Sequence, residues 1–182
     1  MSFTISQRLR NKIKLKGSSS IKIPKSAKIV GCKILIRGKD NSLTIGSNTR
    51  LRNMTIEIIG DGCSVEIGDD CMIGDGTYFT VKEGTKLILG DECGLSRNVK
   101  IMTSDGHPLF KDGKRINEAK DVLLESHIWI ADNVTILKGV TIASGAVVGI
   151  NSTVTKDIPQ NVIAVGNPAR VVQEGIEWRD KF

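Results

Sequence analysis

The sequence predicts an all-β protein, a parallel β-helix whose chain winds round a three-sided coil. The deciding observation is an aliphatic residue at every sixth position from Leu124 to Val154. A period of six fits neither the 3.6-residue repeat of a helix nor the two-residue alternation of a free strand. Three short strands per turn, each followed by a polar corner, produce it. Such a fixed period is typical of a solenoid, in which each coil buries its apolar side against its neighbours.

The N-terminal half of the chain repeats with a longer period. Four similar blocks begin, at equal intervals, at Ile21, Leu43, Val65 and Leu87. Each of these repeats is longer than three six-residue units, and the extra residues fall at one place per turn, in segments rich in turn-forming residues. We therefore expect 22-residue coils with one enlarged corner, then 18-residue coils, making six to seven triangular coils in all.

Two segments interrupt the repeat. A polar loop protrudes at about 104–121, and the tail after Pro168 is predicted to form a short C-terminal helix over 173–182. The chain is accordingly divided into a basic N-terminal segment or cap (1–20), the β-helix with its loop (21–172) and a C-terminal tail (173–182).

Composition agrees with one domain that has an aliphatic core. Only 4% of the 182 residues are aromatic, as a narrow interior of repeated aliphatic layers requires. With no signal peptide and no run of 18 apolar residues, we expect a soluble, cytoplasmic protein. The four cysteines show no metal or redox spacing. Cys71 and Cys93 are expected to stack as reduced thiols in the interior of neighbouring coils.

Charge is concentrated at the N-terminus. Residues 1–39 contain eleven Lys or Arg and no Asp or Glu, so the remaining residues carry −5 of the total of +6. This segment, amphipathic through Ile5, Leu9 and Ile13, could contact an anionic membrane surface, hold an acidic polymer or cap the open end of the solenoid. Capping ranks first because every solenoid needs it. No nucleic-acid partner is expected, since no aromatic residues or binding motif accompany the charge.

Several motifs resemble those of the hexapeptide-repeat acyltransferases. They are the hexads IASGAV at 142–147 and VGINST at 148–153, and GNPAR at 166–170. The resemblance covers about residues 21–172 and implies a left-handed β-helix, whereas ordinary crossovers are right-handed. TSDGHP at 103–108, KRIN at 114–117 and HIWI at 127–130 resemble, more narrowly, the O-acetyltransferases of sugars and bacterial surface polysaccharides.

This resemblance implies transfer of an acetyl group from acetyl-CoA to a sugar hydroxyl of a capsule, an O-antigen or a precursor. A hydroxyl needs a base to take its proton, and histidine suits neutral pH. Of the two histidines, His107 matches the catalytic one of the family. Asp105 either orients its ring, as in triads, or is a turn residue. His127 is expected at a coil corner as a structural or solvent-facing residue, with a supporting role in the site as the alternative.

Other site residues follow from the same resemblance. The main-chain amide of Asp132 matches the donor to the oxyanion, and Trp129 is expected to wall the cleft for the acceptor or the pantetheine arm, or else to lie at a subunit interface. Lys114, Arg115 and Tyr78 are assigned to the acceptor. The stretch 76–78 lacks the Asn that sugar acetyltransferases often carry, which disfavours small free sugars.

Acetyl-CoA is expected in a groove between two subunits of a homotrimer. Besides Trp129 and Asp132, the resemblance places Ile150 against the pantetheine, and Thr155, Lys156 and Arg170 towards the phosphates. Cations suit a nucleotide phosphate, although ordinary surface charge is the alternative.

Competing functions remain open at this stage. They are N-acetylation of a nucleotide-linked amino sugar and a non-catalytic scaffold or binding module. No metal is expected, because a carbonic anhydrase of this fold needs three histidines. Nothing suggests a covalent acyl carrier, so a direct reaction in a ternary complex is expected.

Overall fold

The structure, a computed structural model, describes residues 3–179 as a three-sided column of parallel strands. One helix, α1 (Ile5–Arg10), precedes the strands. The strands, in chain order, are β1 (Lys12–Lys16), β2 (Ser19–Lys22), β3 (Lys28–Val30), β4 (Lys33–Arg37), β5 (Asn41–Ile45), β6 (Arg50–Arg52), β7 (Thr55–Ile59), β8 (Ser64–Ile67), β9 (Met72–Ile73), β10 (Tyr78–Lys82), β11 (Lys86–Leu89), β12 (Gly94–Leu95), β13 (Lys100–Met102), β14 (Phe110–Lys111), β15 (Lys114–Arg115), β16 (Val122–Leu124), β17 (Trp129–Ile130), β18 (Thr135–Ile136), β19 (Thr141–Ile142), β20 (Val147–Val148), β21 (Thr153–Val154), β22 (Val162–Gly166) and β23 (Ala169–Glu174).

Three sheets form the faces of the column. Face 1 has the order β1-β4-β7-β10-β13-β18-β21, face 2 has β19-β16-β11-β8-β5-β2, and face 3 has β23-β22-β20-β17-β12-β9-β6-β3. Successive strands of the chain visit faces 1, 2 and 3 in turn, so each coil contributes one strand to each face. The strands β14 and β15 pair as a separate antiparallel hairpin.

The strand register confirms the predicted coil lengths. Leu43 lies opposite Val65, one long coil further along the chain, whereas Thr135 lies opposite Thr153, one short coil further along. The surplus residues of the longer coils lie between faces 1 and 2, and the loop at 104–121 leaves the column at this same corner. The β-helix begins before residue 21, where the sequence predicted its start: the strand β1 already pairs with β4.

One aliphatic core runs the length of the column. On face 1 the inward side chains lie directly above one another and are at most 1% exposed. They are Ile34, Ile56, Phe79, Ile101 and Ile136. Cys71 and Cys93 are buried free thiols in adjacent coils, as predicted, and the Cys71 thiol together with burial raises the pKa of Cys93.

The predicted C-terminal helix is wrong over the described residues. Residues 169–174 form β23, which pairs antiparallel with β22, and 175–179 are irregular; residues 180–182 lie outside the described part. The edge of face 3 offers an unpaired ladder, and the β-branched Val171 and Val172 favour a strand there.

The N-terminal end is closed by few residues. The Phe3 side chain is 4% exposed and joins the core. The side chain of Asn11 donates from Nδ2 to the carbonyl of Ile29 at 2.9 Å, and its Oδ1 accepts from the main-chain amide of Cys32 at 2.8 Å. Helix α1 itself buries no residue and is held by a capping box between Thr4 and Gln7. Within 3–179, no helix has the length and apolar character needed to cross a bilayer.

Candidate active site

His107 lies on the protruding loop, at the corner between faces 1 and 2. The loop follows β13 and contains the β14–β15 hairpin before the chain returns to β16. The His107 side chain is exposed, and within residues 3–179 its ring makes no hydrogen bond. The ring is therefore available to a molecule outside the chain.

The backbone around His107 is fixed by Asn117, whose side chain is 7% exposed. The side-chain Nδ2 of Asn117 donates to the carbonyl of His107 at 2.9 Å and to Asp105 Oδ2 at 2.9 Å. Its Oδ1 accepts from the main-chain amide of Leu109 at 2.6 Å. A buried side-chain amide that satisfies three partners holds a loop in one shape. Sequence reasoning assigned Asn117 no role, although it ends the KRIN motif.

Asp105 binds the loop to the column rather than to the His107 ring. Lys138 Nζ lies 2.5 Å from Asp105 Oδ2, which also accepts from Asn117. The predicted orienting bond from Asp105 to the ring is absent from the described residues. Hydrogen bonds from Lys138 and Asn117 hold the pKa of Asp105 below its usual value, so this carboxylate is charged at neutral pH.

Arg115 anchors the hairpin in a similar way. Its guanidinium lies 2.7 Å from Glu83 Oε2, while Ser104 donates to Glu83 Oε1 at 2.9 Å. These contacts lower the pKa of Glu83. Of the two cations assigned to the acceptor, only Lys114 is exposed with no ion pair among residues 3–179.

A second group of predicted residues lies at the corner between faces 3 and 1. The Asp132 side chain accepts from Arg97 Nε at 3.0 Å and from the Arg97 main-chain amide at 2.8 Å. The main-chain amide of Asp132 has no acceptor among residues 3–179, so it is free to donate to a ligand. Trp129 on β17 is 43% exposed, and Ile150 in the following coil is 60% exposed.

The remaining predicted residues are spread over the surface. Thr155 and Lys156 are exposed at the corner between faces 1 and 2, the corner from which the His107 loop leaves in an earlier coil. Arg170 is exposed on β23. Tyr78 lies on face 1 and donates to Glu57 Oε2 at 2.6 Å. Burial and this bond raise the pKa of Tyr78.

One chain does not bring the two groups together. His107 belongs to one corner of the column and the Asp132 amide to another, with face 1 between them. Six residues of extended chain make one face, so the two corners are roughly 20 Å apart. Within 3–179, no group of three His, Cys, Asp or Glu side chains is placed to hold a metal ion.

The chain is similar to known acetyltransferases in sequence and in structure. No family model matches the chain. The chain is 40% identical over 86 residues to the polysialic acid O-acetyltransferase of Escherichia coli O1:K1 / APEC, covering 46% of this chain and 28% of that protein. It is 39% identical over 89 residues to the galactoside O-acetyltransferase of Escherichia coli strain K12, covering 48% of this chain and 43% of that protein. The chain thus matches less than half the length of these curated relatives.

Solved structures match nearly the whole chain. The polySia-specific acetyltransferase NeuO aligns with a TM-score of 0.71 and 30% identity over 93% of this chain and 90% of its own. This chain belongs to the hexapeptide-repeat β-helix acetyltransferases. The polysialic acid O-acetyltransferase OatWY aligns with a TM-score of 0.79 and 29% identity over 92% of this chain and 91% of its own. The N-acyltransferase AntD of Bacillus cereus, solved with dTDP and coenzyme A, aligns with a TM-score of 0.62 and 22% identity over 89% of this chain and 84% of its own. An identity this low shows a shared fold alone.

As in the rest of the family, the β-helix is left-handed.

The other histidine of the chain, His127, lies at a coil corner as predicted, with φ at +57°. The Trp178 ring stacks on it with centroids 4.3 Å apart, and Trp178 Nε1 donates to the His127 carbonyl at 3.0 Å. His127 therefore fastens the C-terminal tail to the column, which favours the structural interpretation.

Two apolar surfaces of this acetyltransferase-family chain were missed by sequence reasoning. On face 3 the coil register aligns Met72, Gly94, Trp129, Val147 and Ile163. Met72 and Trp129 are 53% and 43% exposed, whereas Val147 is buried. The loop and hairpin expose Leu109, Phe110 and Ile116 by 54–65%. The wide spacing of Met72 and Trp129 along the chain hides the face 3 surface in the sequence, because only the coil register aligns them.

Proposed function

We propose that the chain is an acetyl-CoA-dependent O-acetyltransferase that acts on a sugar hydroxyl of a bacterial surface polysaccharide, such as a capsule or an O-antigen, or of its precursor. The observation that carries the proposal is His107. Its ring is exposed while its backbone is fixed by a buried amide, in a chain 30% identical to a polySia-specific acetyltransferase over 93% of its length. An exposed imidazole on a fixed backbone is suited to general-base catalysis.

In the proposed reaction, His107 takes the proton of the sugar hydroxyl as its oxygen attacks the carbonyl carbon of the thioester. The tetrahedral intermediate carries an oxyanion, to which the main-chain amide of Asp132 donates a hydrogen bond. Collapse breaks the carbon–sulfur bond, and the imidazolium returns its proton to the departing thiolate. The products are an acetyl ester and coenzyme A, and no protein residue is acylated.

For acetyl-CoA, exposed residues at two corners of the column offer contacts of the right chemistry. Trp129 and Ile150 offer apolar surface to the pantetheine arm. Thr155, Lys156 and Arg170 are exposed and offer hydrogen-bond donors and positive charge to the phosphates. Lys114 and Tyr78 remain proposed contacts of the acceptor, while Arg115 acts through the loop that it anchors.

A homotrimer with its active sites between subunits would complete the site. His107 and the Asp132 amide lie at different corners of one chain, so a neighbouring subunit must supply one of them. The exposed apolar side chains of the loop, such as Phe110, and the exposed Met72 and Trp129 on face 3 are surfaces that a monomer leaves in water. Packing one against the other would bring the His107 loop to the Trp129 edge of the partner.

The test is mass spectrometry of a glycan panel, including polysialic acid, incubated with acetyl-CoA. The His107→Ala variant is compared with wild type, and His127→Ala is the matched control because its ring serves the tail. Base-labile acetyl esters made by wild type and His127→Ala but not by His107→Ala would support the proposal. Acetyl amides would indicate N-transfer to an amino sugar. No product together with no coenzyme A binding would exclude the enzyme and leave a scaffold.

A further inference from the structure

We propose that the N-terminal end of the column is a docking surface for a lipid bilayer with anionic headgroups. This N-terminal surface comprises α1, β1 and the outward side chains of β2, β3 and β4. The inference does not rest on the proposed function, because it concerns the end of the column remote from the His107 loop.

The positive charge of this surface is not used by the fold. All eleven Lys and Arg side chains of residues 1–39 are exposed. None of them forms an ion pair within the described residues; the six ion pairs there involve Arg52 and residues beyond it. Eleven unpaired cations in one part of a small domain create a strong positive potential that attracts an anionic surface.

The cations on face 1 form a regular array. Lys12, Lys14 and Lys16 point outward from β1, with Lys33 and Arg37 directly opposite the first and last of them on β4. Same-face residues of a strand lie about 6.7 Å apart and adjacent strands about 4.8 Å apart. The five cations are therefore concentrated at the N-terminal end of face 1.

Capping does not explain the helix that precedes this array. Phe3 and Asn11 close the core, whereas α1 buries no residue. Ile5 and Leu9 are 79% and 83% exposed and lie four residues apart, hence on one face of the helix. An exposed pair of large aliphatic side chains among cations is the arrangement of helices that lie in the membrane interface.

A groove beside the helix is suited to a phosphate headgroup. It lies between α1 and β3 and has a volume of about 440 Å³. Arg10, Lys25 and Lys28 line it, together with Gln7. Three cations around one open groove can bind the phosphate of a lipid whose acyl chains lie beside Ile5 and Leu9.

The aliphatic pair distinguishes a bilayer from a soluble acidic polymer. A polyanion would use the cations but gains nothing from Ile5 and Leu9, which lose contact with water only in an apolar phase. A bilayer uses both the cations and the aliphatic pair, since the free energies of charge attraction and of apolar insertion add.

The test is sedimentation of the full chain with vesicles of phosphatidylcholine, alone or with about 30% anionic phosphatidylglycerol. We expect binding only to the anionic vesicles. Lys14→Gln/Lys16→Gln should weaken the partition coefficient by about tenfold or more. The matched pair Lys86→Gln/Lys100→Gln removes the same charge from exposed sites elsewhere and should change it far less.

The helix is tested by Ile5→Ser/Leu9→Ser, with circular dichroism to show that the column stays folded. We expect about tenfold weaker binding to the anionic vesicles, because two aliphatic insertions are lost. Absence of vesicle binding, or equal losses in the two lysine pairs, would overturn the proposal. So would vesicle binding that is insensitive to Ile5→Ser/Leu9→Ser while soluble polysialic acid competes for the same lysines, since the surface would then belong to an acidic polymer.

Discussion

Substitution of Asn117 by Ala should release the His107 loop while leaving the column folded. The side chain makes three hydrogen bonds of 2.6–2.9 Å from a nearly buried position. At about 1 kcal/mol for each bond, the free energy of opening the loop should fall by about 3 kcal/mol. That corresponds to roughly 100-fold faster exchange of amides that exchange through this opening. The core lies outside the loop, so the midpoint of thermal unfolding should change little.

The assay is amide hydrogen exchange measured by NMR at the Ile116 amide, which donates to the Leu109 carbonyl within the loop at 3.0 Å. Ile136 in the core is the internal reference. Glu118→Ala is the control, because Glu118 is exposed in the same loop and makes no side-chain hydrogen bond among residues 3–179. If the Ile116 amide exchanges at the same rate in Asn117→Ala and Glu118→Ala, Asn117 does not hold the loop and the reasoning fails. Acetyl transfer, if the proposed function holds, should fall through kcat, since the affinity for coenzyme A depends on other residues.

Two further predictions concern the loop anchor and the coil corners. Lys138 lowers the pKa of Asp105 in the folded protein. Their pairing therefore stabilises the loop fully at pH values above the ordinary carboxyl pKa of about 4. The stabilisation is lost as the pH falls through the lowered pKa. Lys138→Met should flatten this acid dependence of loop exchange, and an unchanged profile would contradict the pairing. Gly38→Ala should lower the thermal midpoint far more than Gly62→Ala: both have positive φ, but only the Gly38 Cβ would meet Gly60 O, at 1.9 Å. Equal losses in the two variants would show that the close stacking of corners is unimportant.

The coil architecture was predictable because each coil repeats the same local pattern. The aliphatic positions of Leu43, Val65 and Leu87 became stacked neighbours on face 2, and the shortening of the coils towards the C-terminus was readable as a change of period. The tail was predicted less well. Whether residues 169–174 form a helix or a strand depends on the free edge of face 3, which is a property of the folded column and not of the segment.

The candidate site was predictable only in part. His107 and the Asp132 corner were found from short motifs, and the structure gives both the exposure and the free amide that their proposed roles need. The contacts of Asp105 were not found: its partners Asn117 and Lys138 lie 12 and 33 residues away. Hydrogen bonds across such distances depend on where the loop folds back, which no local pattern encodes.

By itself, the sequence determined the coil, its two lengths, the place of the interrupting loop and the histidine on it. These features depend on which side chains are aliphatic and on how often they recur, and burial of aliphatic surface dominates the energetics of a solenoid. Only the tertiary structure decided that Asp105 anchors the loop, that His107 and the Asp132 amide occupy different corners, and that Ile5 and Leu9 stay outside the cap. These outcomes depend on polar contacts and on competition for the ends and edges of the column, which arise only when distant segments of the chain meet.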